Sequence, residues 1–214
     1  MNNITRLFDF PYYQLEKYNL KDALVTKYDG QWIKTSTQEY LDKANALSRG
    51  LLRLGVNKND KIAIISSNNR TEWHITDIGV LQTGAQTVPM YPTISAEDYE
   101  YILNHSESKY VFVSDDEVYE KLQSIKANVP LLKDVFSYND IAGCKSWKEI
   151  LELGTDTSNQ DVVEDRKNNV STTDLATIIY TSGTTGRPRG VMLSHHNIVS
   201  DVLMSAPRVP FRPG

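Results

Sequence analysis

A short run of hydroxyl, glycine and arginine residues near the end of the chain carries the clearest chemical pattern. It reads Thr181, Ser182, Gly183, Thr184, Thr185, Gly186, Arg187, Pro188, Arg189 and Gly190. Glycines allow backbone N–H groups to turn towards an anion, hydroxyls add hydrogen-bond donors, and arginines bring positive charge with a planar fork of donors. These properties together suit the binding of a polyphosphate.

Residue types alone leave other interpretations of this run open. It lacks the Gly-Lys-Ser or Gly-Lys-Thr ending of a Walker A loop, and it lacks the Gly-x-Gly-x-x-Gly spacing of dinucleotide-binding loops. A polar turn between two strands would have a similar composition. The part 183–186 also has the Gly-x-x-Gly pattern of a KH-type nucleic-acid-binding module, but that loop should join two helices in a basic domain.

The elements before this run alternate between buried strands and amphipathic helices. Ser36 and Glu39 have capping-box spacing ahead of a helix that Gly55 ends. The apolar run 62–65 does not alternate, which is typical of a strand covered on both faces. Further helices are predicted over 71–83, from Ser95, over 115–127, over 146–154 and from Ser194, and strands over 86–89, 110–113, 134–137, 175–180 and 191–193. This order predicts an α/β fold with a mostly parallel sheet flanked by helices.

Two segments lie outside this alternation. Residues 155–173 are rich in Asp, Asn and Thr and are predicted to form a surface connection. Residues 1–9 are predicted to be an amino-terminal extension, and no apolar run in the chain approaches the roughly 20 residues that span a bilayer. A cytoplasmic location is therefore expected.

The net charge and the cysteine count exclude some kinds of partner and of metal site. The 214 residues carry a formal net charge of -4, which provides no overall attraction to nucleic acid. The single cysteine, Cys144, excludes an internal disulfide and any multi-cysteine metal site within the chain, and is expected to be a buried spectator thiol.

The order of residues in and around the run resembles a known family. The stretch from Tyr180 to Val191 is similar to the phosphate-loop signature of the adenylate-forming (AMP-binding) enzymes. The flanking segments 69–73, 88–93, 101–106 and 194–197 resemble the long-chain fatty acid–CoA ligase (acyl-CoA synthetase) branch. The resemblance implies that residues 10–214 are the amino-terminal portion of the large AMP-binding domain, with a phosphate loop at 180–191.

The resemblance also implies roles. Phosphate contacts are expected from Thr181, Ser182, Gly183, Thr184, Thr185 and Gly186, contact with the leaving pyrophosphate from Arg189, and a Mg²⁺ ligand from Thr181. The implied reaction joins a fatty acid to ATP as an acyl-adenylate and then transfers the acyl group to CoA, releasing pyrophosphate and AMP. Arg189 stands where the family usually has lysine; it keeps the charge but is bulkier and less adaptable.

Further family motifs have no counterpart before Gly214, among them the catalytic lysine of the small carboxyl-terminal domain. The chain is therefore expected to be inactive alone and to self-associate through apolar surface that a complete domain would bury. A lipid substrate also implies peripheral contact with a membrane. Within the superfamily, an aryl-CoA ligase or a peptide-synthetase adenylation domain remains an alternative.

The aromatic residues and histidines outside the loop are assigned structural roles. His195 and His196 stand at a predicted helix start, where capping or packing is favoured over catalysis. Trp73, Tyr91 and Tyr101 are expected to pack in the core or between subdomains and not to stack on adenine.

Overall fold

The structure is a computed structural model that describes residues 4–182 and 186–208. The helices are α1 (Asp9–Lys17), α2 (Thr37–Arg53), α3 (Thr71–Gln82), α4 (Ala96–Ser106), α5 (Asp116–Ile125), α6 (Trp147–Leu153), α7 (Gln160–Asn168) and α8 (His195–Ser205). The strands are β1 (Leu24–Tyr28), β2 (Gln31–Thr35), β3 (Lys61–Ile65), β4 (Gln86–Met90), β5 (Ser108–Val113), β6 (Asp134–Ser137), β7 (Lys145–Ser146), β8 (Leu175–Thr181) and β9 (Arg189–Ser194). Short 3-10 turns follow α5 at Lys126–Asn128 and α8 at Ala206–Arg208.

Seven strands form one sheet in the order β7-β6-β5-β3-β4-β8-β9. Neighbours pair in parallel from β7 to β8, and β9 pairs antiparallel with β8. This arrangement confirms the predicted α/β fold. The strands β1 and β2 form a separate antiparallel hairpin, which the sequence analysis does not predict.

Helices cover both faces of the sheet, because successive residues of a strand point to opposite sides. Ile62 and Ile64 pack in a cluster with residues of α2, α3 and α6. Ala63 and Ile65 pack in another cluster with residues of α4 and α5. The absence of alternation in β3 therefore reflects a strand that is buried on both sides, as predicted.

Local signals set the helix boundaries where the sequence places them. Ser36 caps α2 and forms a complete capping box with Glu39. Ser95, Ser146 and Ser194 each accept a hydrogen bond from the first turn of the helix that follows. These caps satisfy N–H groups that otherwise have no partner within the helix.

Two segments have more structure than predicted. The connection 155–173 contains helix α7, whose Val163 is fully buried. The predicted amino-terminal extension packs on the domain from Ile4 onward, since Ile4 and Phe8 are both buried. Among the residues that the structure describes, each segment is anchored by only two buried apolar residues, which are too few to produce a clear periodic pattern.

Candidate phosphate-binding site

Strand β8 brings the hydroxyl and glycine run to the edge of the sheet at which the parallel strands end. Thr177 of β8 is in register with Thr87 of β4, and its hydroxyl donates to the Thr87 carbonyl oxygen at 2.9 Å. Since β8 is parallel to β3, β4 and β5, the carboxyl ends of these strands share one edge. In open α/β sheets, ligands bind in crevices at this edge.

The antiparallel pairing of β8 with β9 sets the two ends of the run side by side. Thr181 lies opposite Arg189 in the ladder, and both side chains are exposed. Ser182 is exposed beyond the end of β8. A hydroxyl, a second hydroxyl and a guanidinium group therefore project from the same end of this strand pair.

Gly186 lies in a backbone conformation that favours glycine. Its φ is +91°, and an added Cβ would have no heavy atom within 4 Å. The requirement is therefore conformational, because L-residues with a side chain rarely adopt this region. The remaining predicted contacts, Gly183, Thr184 and Thr185, lie outside the described residues.

The described part of the run borders a cleft of about 490 Å³. Thr181, Ser182 and Gly186 line it together with Met90, Asp98 and Ile102. A second cleft of about 440 Å³ shares Met90, Tyr91 and Ile179 with the first and extends to Trp73 and His74. Both clefts are lined by polar and by apolar side chains, so together they can hold a molecule with both a charged and an uncharged part.

The aromatic residues divide between packing and exposure. Trp73 packs against the cluster on the α2 and α3 face, and Tyr101 packs against the cluster on the α4 face, as predicted. Tyr91 is not in the core, because 70% of this residue is exposed, and its packing between subdomains stays a prediction. Tyr91 follows β4 directly, where the chain leaves the covered sheet and enters the rim of both clefts.

His195 has the predicted packing role. It is buried, its Nδ1 accepts a hydrogen bond from the N–H of Leu7, and its ring meets the Phe8 ring edge-on at 5.6 Å. Burial, with a smaller contribution from Arg6, lowers the pKa of His195 to about 4. A neutral, enclosed imidazole is not placed to exchange protons with a substrate. His196 is exposed on the first turn of α8.

One contact of the site has no counterpart in the sequence analysis. The hydroxyl of Tyr180, the residue before the run, lies 2.7 Å from Nδ1 of His105 on α4. Burial raises the pKa of Tyr180 to about 12, with a smaller contribution from Tyr101. Tyr101 and His105 are four residues apart and so share one helix face, which is the only sequence signal for the contact.

Residues 4–182 and 186–208 contain few side chains that could bind a metal ion or react as a thiol. Within these ranges there is no group of three or more His, Cys, Asp or Glu side chains that could hold a metal ion. The exposed hydroxyl of Thr181 suits Mg²⁺, which usually takes one or two protein ligands and completes its shell with phosphate oxygens and water. Burial raises the pKa of the Cys144 thiol to about 11, consistent with a spectator role.

Two of the open interpretations are settled by this geometry. The run joins two antiparallel strands and not two helices, so the KH-type interpretation is wrong. The turn interpretation describes the connection correctly but leaves the exposed hydroxyls and arginine unexplained.

Among the described helices, none combines the length and apolar character needed to cross a bilayer.

Comparison with known proteins places the chain in a family. The AMP-binding enzyme family matches residues 13–212. The long-chain-fatty-acid–CoA ligase ACSBG2 of Xenopus laevis is 33% identical over 192 residues, covering 86% of this chain and 25% of that protein. The long-chain-fatty-acid–CoA ligase FadD15 of Mycobacterium bovis is 34% identical over 174 residues, covering 81% of this chain and 28% of that protein.

A solved structure agrees with these sequence matches. The long-chain-fatty-acid–CoA ligase FadD1 of Archaeoglobus fulgidus superposes with a TM-score of 0.77 at 25% identity, covering 94% of this chain and 38% of that one. The chain thus spans between about a quarter and two fifths of the length of these relatives. The match over residues 13–212 and the shared fold show that the chain belongs to the AMP-binding enzyme family.

Proposed function

We propose that this chain supplies the phosphate-binding part of an ATP-dependent long-chain fatty acid–CoA ligase. The observation that carries the proposal is the end of the β8–β9 pair, where Thr181 and Ser182 line a cleft and the exposed Arg189 lies opposite Thr181. The proposed reaction forms an acyl-adenylate from a fatty acid and ATP, and then a thioester with CoA.

The chain's own groups act on the triphosphate. Hydroxyls of Thr181 and Ser182 donate hydrogen bonds to phosphate oxygens, and Arg189 stabilises the negative charge on the departing pyrophosphate. Bound Mg²⁺ would supply further charge neutralisation, with the Thr181 hydroxyl as its protein ligand. Both nucleophiles belong to the substrates, so these residues contribute positioning and charge stabilisation.

The acid substrate is assigned to the long-chain class on the similarity to relatives that carry this name. An aryl-CoA ligase or a peptide-synthetase adenylation domain is the alternative within the family. Acids of graded chain length, tested with a protein extended to the length of its relatives, separate the two. Activity is expected to increase with the length of the acid, because each buried CH₂ contributes about 0.8 kcal/mol. Equal or better activity with aromatic acids would contradict the assignment.

Binding of Mg·ATP tests the phosphate site in the chain itself. We expect saturable calorimetric binding to residues 1–214, weakened in Thr181→Ala and Ser182→Ala. Ser124→Ala is the matched control, because Ser124 is an exposed serine of α5 whose hydroxyl donates within that helix. Binding that is unaffected by the loop substitutions would remove the basis of the proposal.

The two half-reactions give a second test in the extended protein. Gly186→Ala should impair adenylation more than thioester formation, because only adenylation handles pyrophosphate. ATP–pyrophosphate exchange reports the first step, and transfer from a pre-formed acyl-adenylate reports the second.

We further propose a cytoplasmic location with peripheral contact to the membrane that holds the acid. Sedimentation with lipid vesicles would test the membrane contact.

A further inference from the structure

We propose that one face of α4, formed by Tyr101 and His105, positions the loop between β8 and β9 by contacting both of its ends. The two arginines of the loop then have different tasks: Arg187 holds the loop against α4, and Arg189 is left for the ligand. The inference rests on the proposed function in one respect, that this loop binds ATP phosphates.

The first contact lies before the loop. Tyr180 is buried, and its hydroxyl lies 2.7 Å from His105 Nδ1 with the two rings in an edge-on arrangement at 5.8 Å. Gly190, opposite Tyr180 in the ladder, leaves the space that this ring occupies. A Cβ at Gly190 would lie 3.1 Å from Tyr180 Cζ and 2.8 Å from Ile178 Cγ2. A side chain at position 190 would therefore clash with Tyr180 and Ile178, which explains why a glycine follows the loop here.

The second contact lies at the carboxyl end of the loop. The guanidinium carbon of Arg187 lies 5.3 Å from the centre of the Tyr101 ring, within the range of a cation–π interaction. The Tyr101 ring lies 5.4 Å from the His105 ring, centre to centre. Arg187, Tyr101, His105 and Tyr180 therefore form a continuous row of contacts from one end of the loop to the other.

Helix α4 is a firm support for this row. Three of its residues, Tyr99, Ile102 and Leu103, are buried in the cluster on that face of the sheet. The helix is capped by Ser95, and the Tyr99 hydroxyl donates to the carbonyl oxygen of Pro92 at 3.0 Å. Contacts with such an element limit the conformations of the loop before a ligand arrives. A site ordered in advance loses less conformational freedom on binding.

The arrangement separates the roles of the two arginines. Arg187 is directed towards the α4 face and, with Gly186, borders a pocket whose other walls are formed by α4 residues such as Asp98 and Glu100. Arg189 lies in the ladder opposite Thr181, on the side of the hydroxyl groups. Arg187 is thus the arginine that contacts α4, and Arg189 is the one that pairs with Thr181.

NMR of the 214-residue chain tests the proposal without requiring catalysis. We expect Tyr101→Leu to lower the backbone order parameters of Ser182, Gly186 and Arg187 by about 0.2, with β5 unchanged. Tyr101→Phe keeps the ring and should retain wild-type values. Tyr119→Phe is the control for loss of a tyrosine hydroxyl, because Tyr119 lies on α5 and its hydroxyl donates to the carbonyl oxygen of Gly143.

Further variants keep the test decisive if Tyr101→Leu fails to fold. Arg187→Gln changes an exposed side chain and should lower the same order parameters. Tyr180→Phe should lower that of Ser182 and shift the His105 imidazole nitrogen resonances. Unchanged order parameters in Arg187→Gln, or equal effects of Tyr101→Leu and Tyr101→Phe, would overturn the proposal.

Mg·ATP affinity separates failure of this inference from failure of the proposed function. Tyr101→Leu and Arg187→Gln should weaken binding by about three- to tenfold, through the cost of ordering the loop. If the wild-type chain binds no Mg·ATP but the order parameters fall as expected, the positioning role stands and the phosphate site is refuted. If affinity is unchanged while the order parameters fall, α4 does not position the loop for its ligand and the inference is wrong.

Discussion

His195, the first residue of α8, accepts a hydrogen bond through Nδ1 from the backbone N–H of Leu7 at 3.1 Å, a contact between residues 188 positions apart. This contact anchors the start of the described chain against the helix that follows the phosphate loop. The imidazole is neutral, because burial and then Arg6 lower its pKa from 6.5 to about 4.

The low pKa of His195 predicts a loss of stability in mild acid. Between pH 6.5 and 4 the unfolded chain binds a proton at this residue and the folded chain does not. The free energy of unfolding should therefore fall by up to about 3 kcal/mol as the pH drops through this window. Urea titrations at pH 7.5, 5.5 and 4.5 measure the slope, and His195→Asn should flatten it while lowering stability at pH 7.5. His196→Asn, at the exposed neighbouring position, should leave the slope unchanged.

Asp77 predicts a pH dependence of the opposite sign. Its Oδ1 accepts from the Thr87 hydroxyl at 2.9 Å, and burial raises its pKa from 3.8 to about 6. The folded state holds this proton more tightly, so stability is lost as the pH rises from about 4 to 6 and stays lower above it. Asp77→Asn keeps the acceptor oxygen without the charge and should stabilise the chain at pH 7.5 by about 1–3 kcal/mol. The gain should vanish near pH 4, and a gain of equal size at both pH values would contradict the pKa. Asp201→Asn, on the exposed side of α8, is the control.

Two glycines in helices test how closely α2 is packed. An added Cβ at Gly50 would lie 2.0 Å from the backbone oxygen of Ile150, whereas at Gly79 it would lie 2.7 Å from the Cδ2 of Leu47. A side-chain methyl can move, but the backbone of α6 cannot move without disturbing the helix. Gly50→Ala should therefore cost about 2 kcal/mol or more in unfolding free energy, although alanine in a helix is normally better than glycine by 0.5–1 kcal/mol. Gly79→Ala should cost less. Thermal unfolding of the two variants side by side decides the order.

The elements with strong periodic or capping signals are those that the sequence predicts well. The structure confirms the predicted caps at Ser36, Ser95, Ser146 and Ser194. These caps are predictable because each one is a local interaction between neighbours in the chain. The hairpin β1–β2 is missing from the prediction although Asp29 and Gly30, both with positive φ, form the two-residue turn that is its local signal. The position of the hairpin on the domain depends on distant contacts. The Thr26 hydroxyl, for instance, accepts from the N–H of Thr71 at 2.9 Å.

The candidate site shows the same division. The hydroxyl and arginine run stands out because its composition is unusual and its residues are consecutive. The partners of that run come from α4, about 80 residues earlier, and nothing in the spacing of Tyr101 and His105 indicates that they meet Tyr180 and Arg187. Such contacts depend on which strand lies beside which, and the order β3-β4-β8 is a property of the whole sheet.

Exposed apolar side chains on β9 and α8 predict self-association of the chain. Met192 is 68% exposed and Met204 is 60% exposed, with Val191 and Val202 also exposed on the same two elements. Strand β9 is also an edge strand of the sheet, and exposed apolar residues on an edge strand favour association. Sedimentation velocity of residues 1–214 should show a concentration-dependent increase in size that Met192→Lys and Met204→Lys together abolish. Trp32→Lys removes a comparably exposed apolar residue on the β1–β2 hairpin, 65% exposed, and should have little effect. A chain that stays monomeric at all concentrations would contradict the expectation.

Arg189 provides the most direct test of the proposed contact with pyrophosphate. It stands where the family resemblance leads us to expect lysine, and it lies opposite Thr181 at the end of the β8–β9 ladder with its side chain exposed. Arg189→Gln removes the charge and reduces the five N–H donors of the side chain to two, on a shorter side chain. A hydrogen bond to a charged group contributes about 1.5–3 kcal/mol, so pyrophosphate should bind about tenfold more weakly or worse.

Arg189→Lys separates charge from geometry. An ammonium group keeps the charge but cannot contact two phosphate oxygens through a planar fork. If the fork matters, Arg189→Lys should bind inorganic pyrophosphate with an affinity between those of the wild type and Arg189→Gln. If only charge matters, Arg189→Lys should equal the wild type. Calorimetric titration at two salt concentrations provides both comparisons, because the purely electrostatic part of the binding free energy weakens with salt.

Arg208→Gln controls for the change in net charge. It removes an exposed arginine whose guanidinium donates to the carbonyl oxygen of Met204. Equal weakening by Arg208→Gln and Arg189→Gln would show that pyrophosphate responds only to net charge, and would refute a specific role for Arg189.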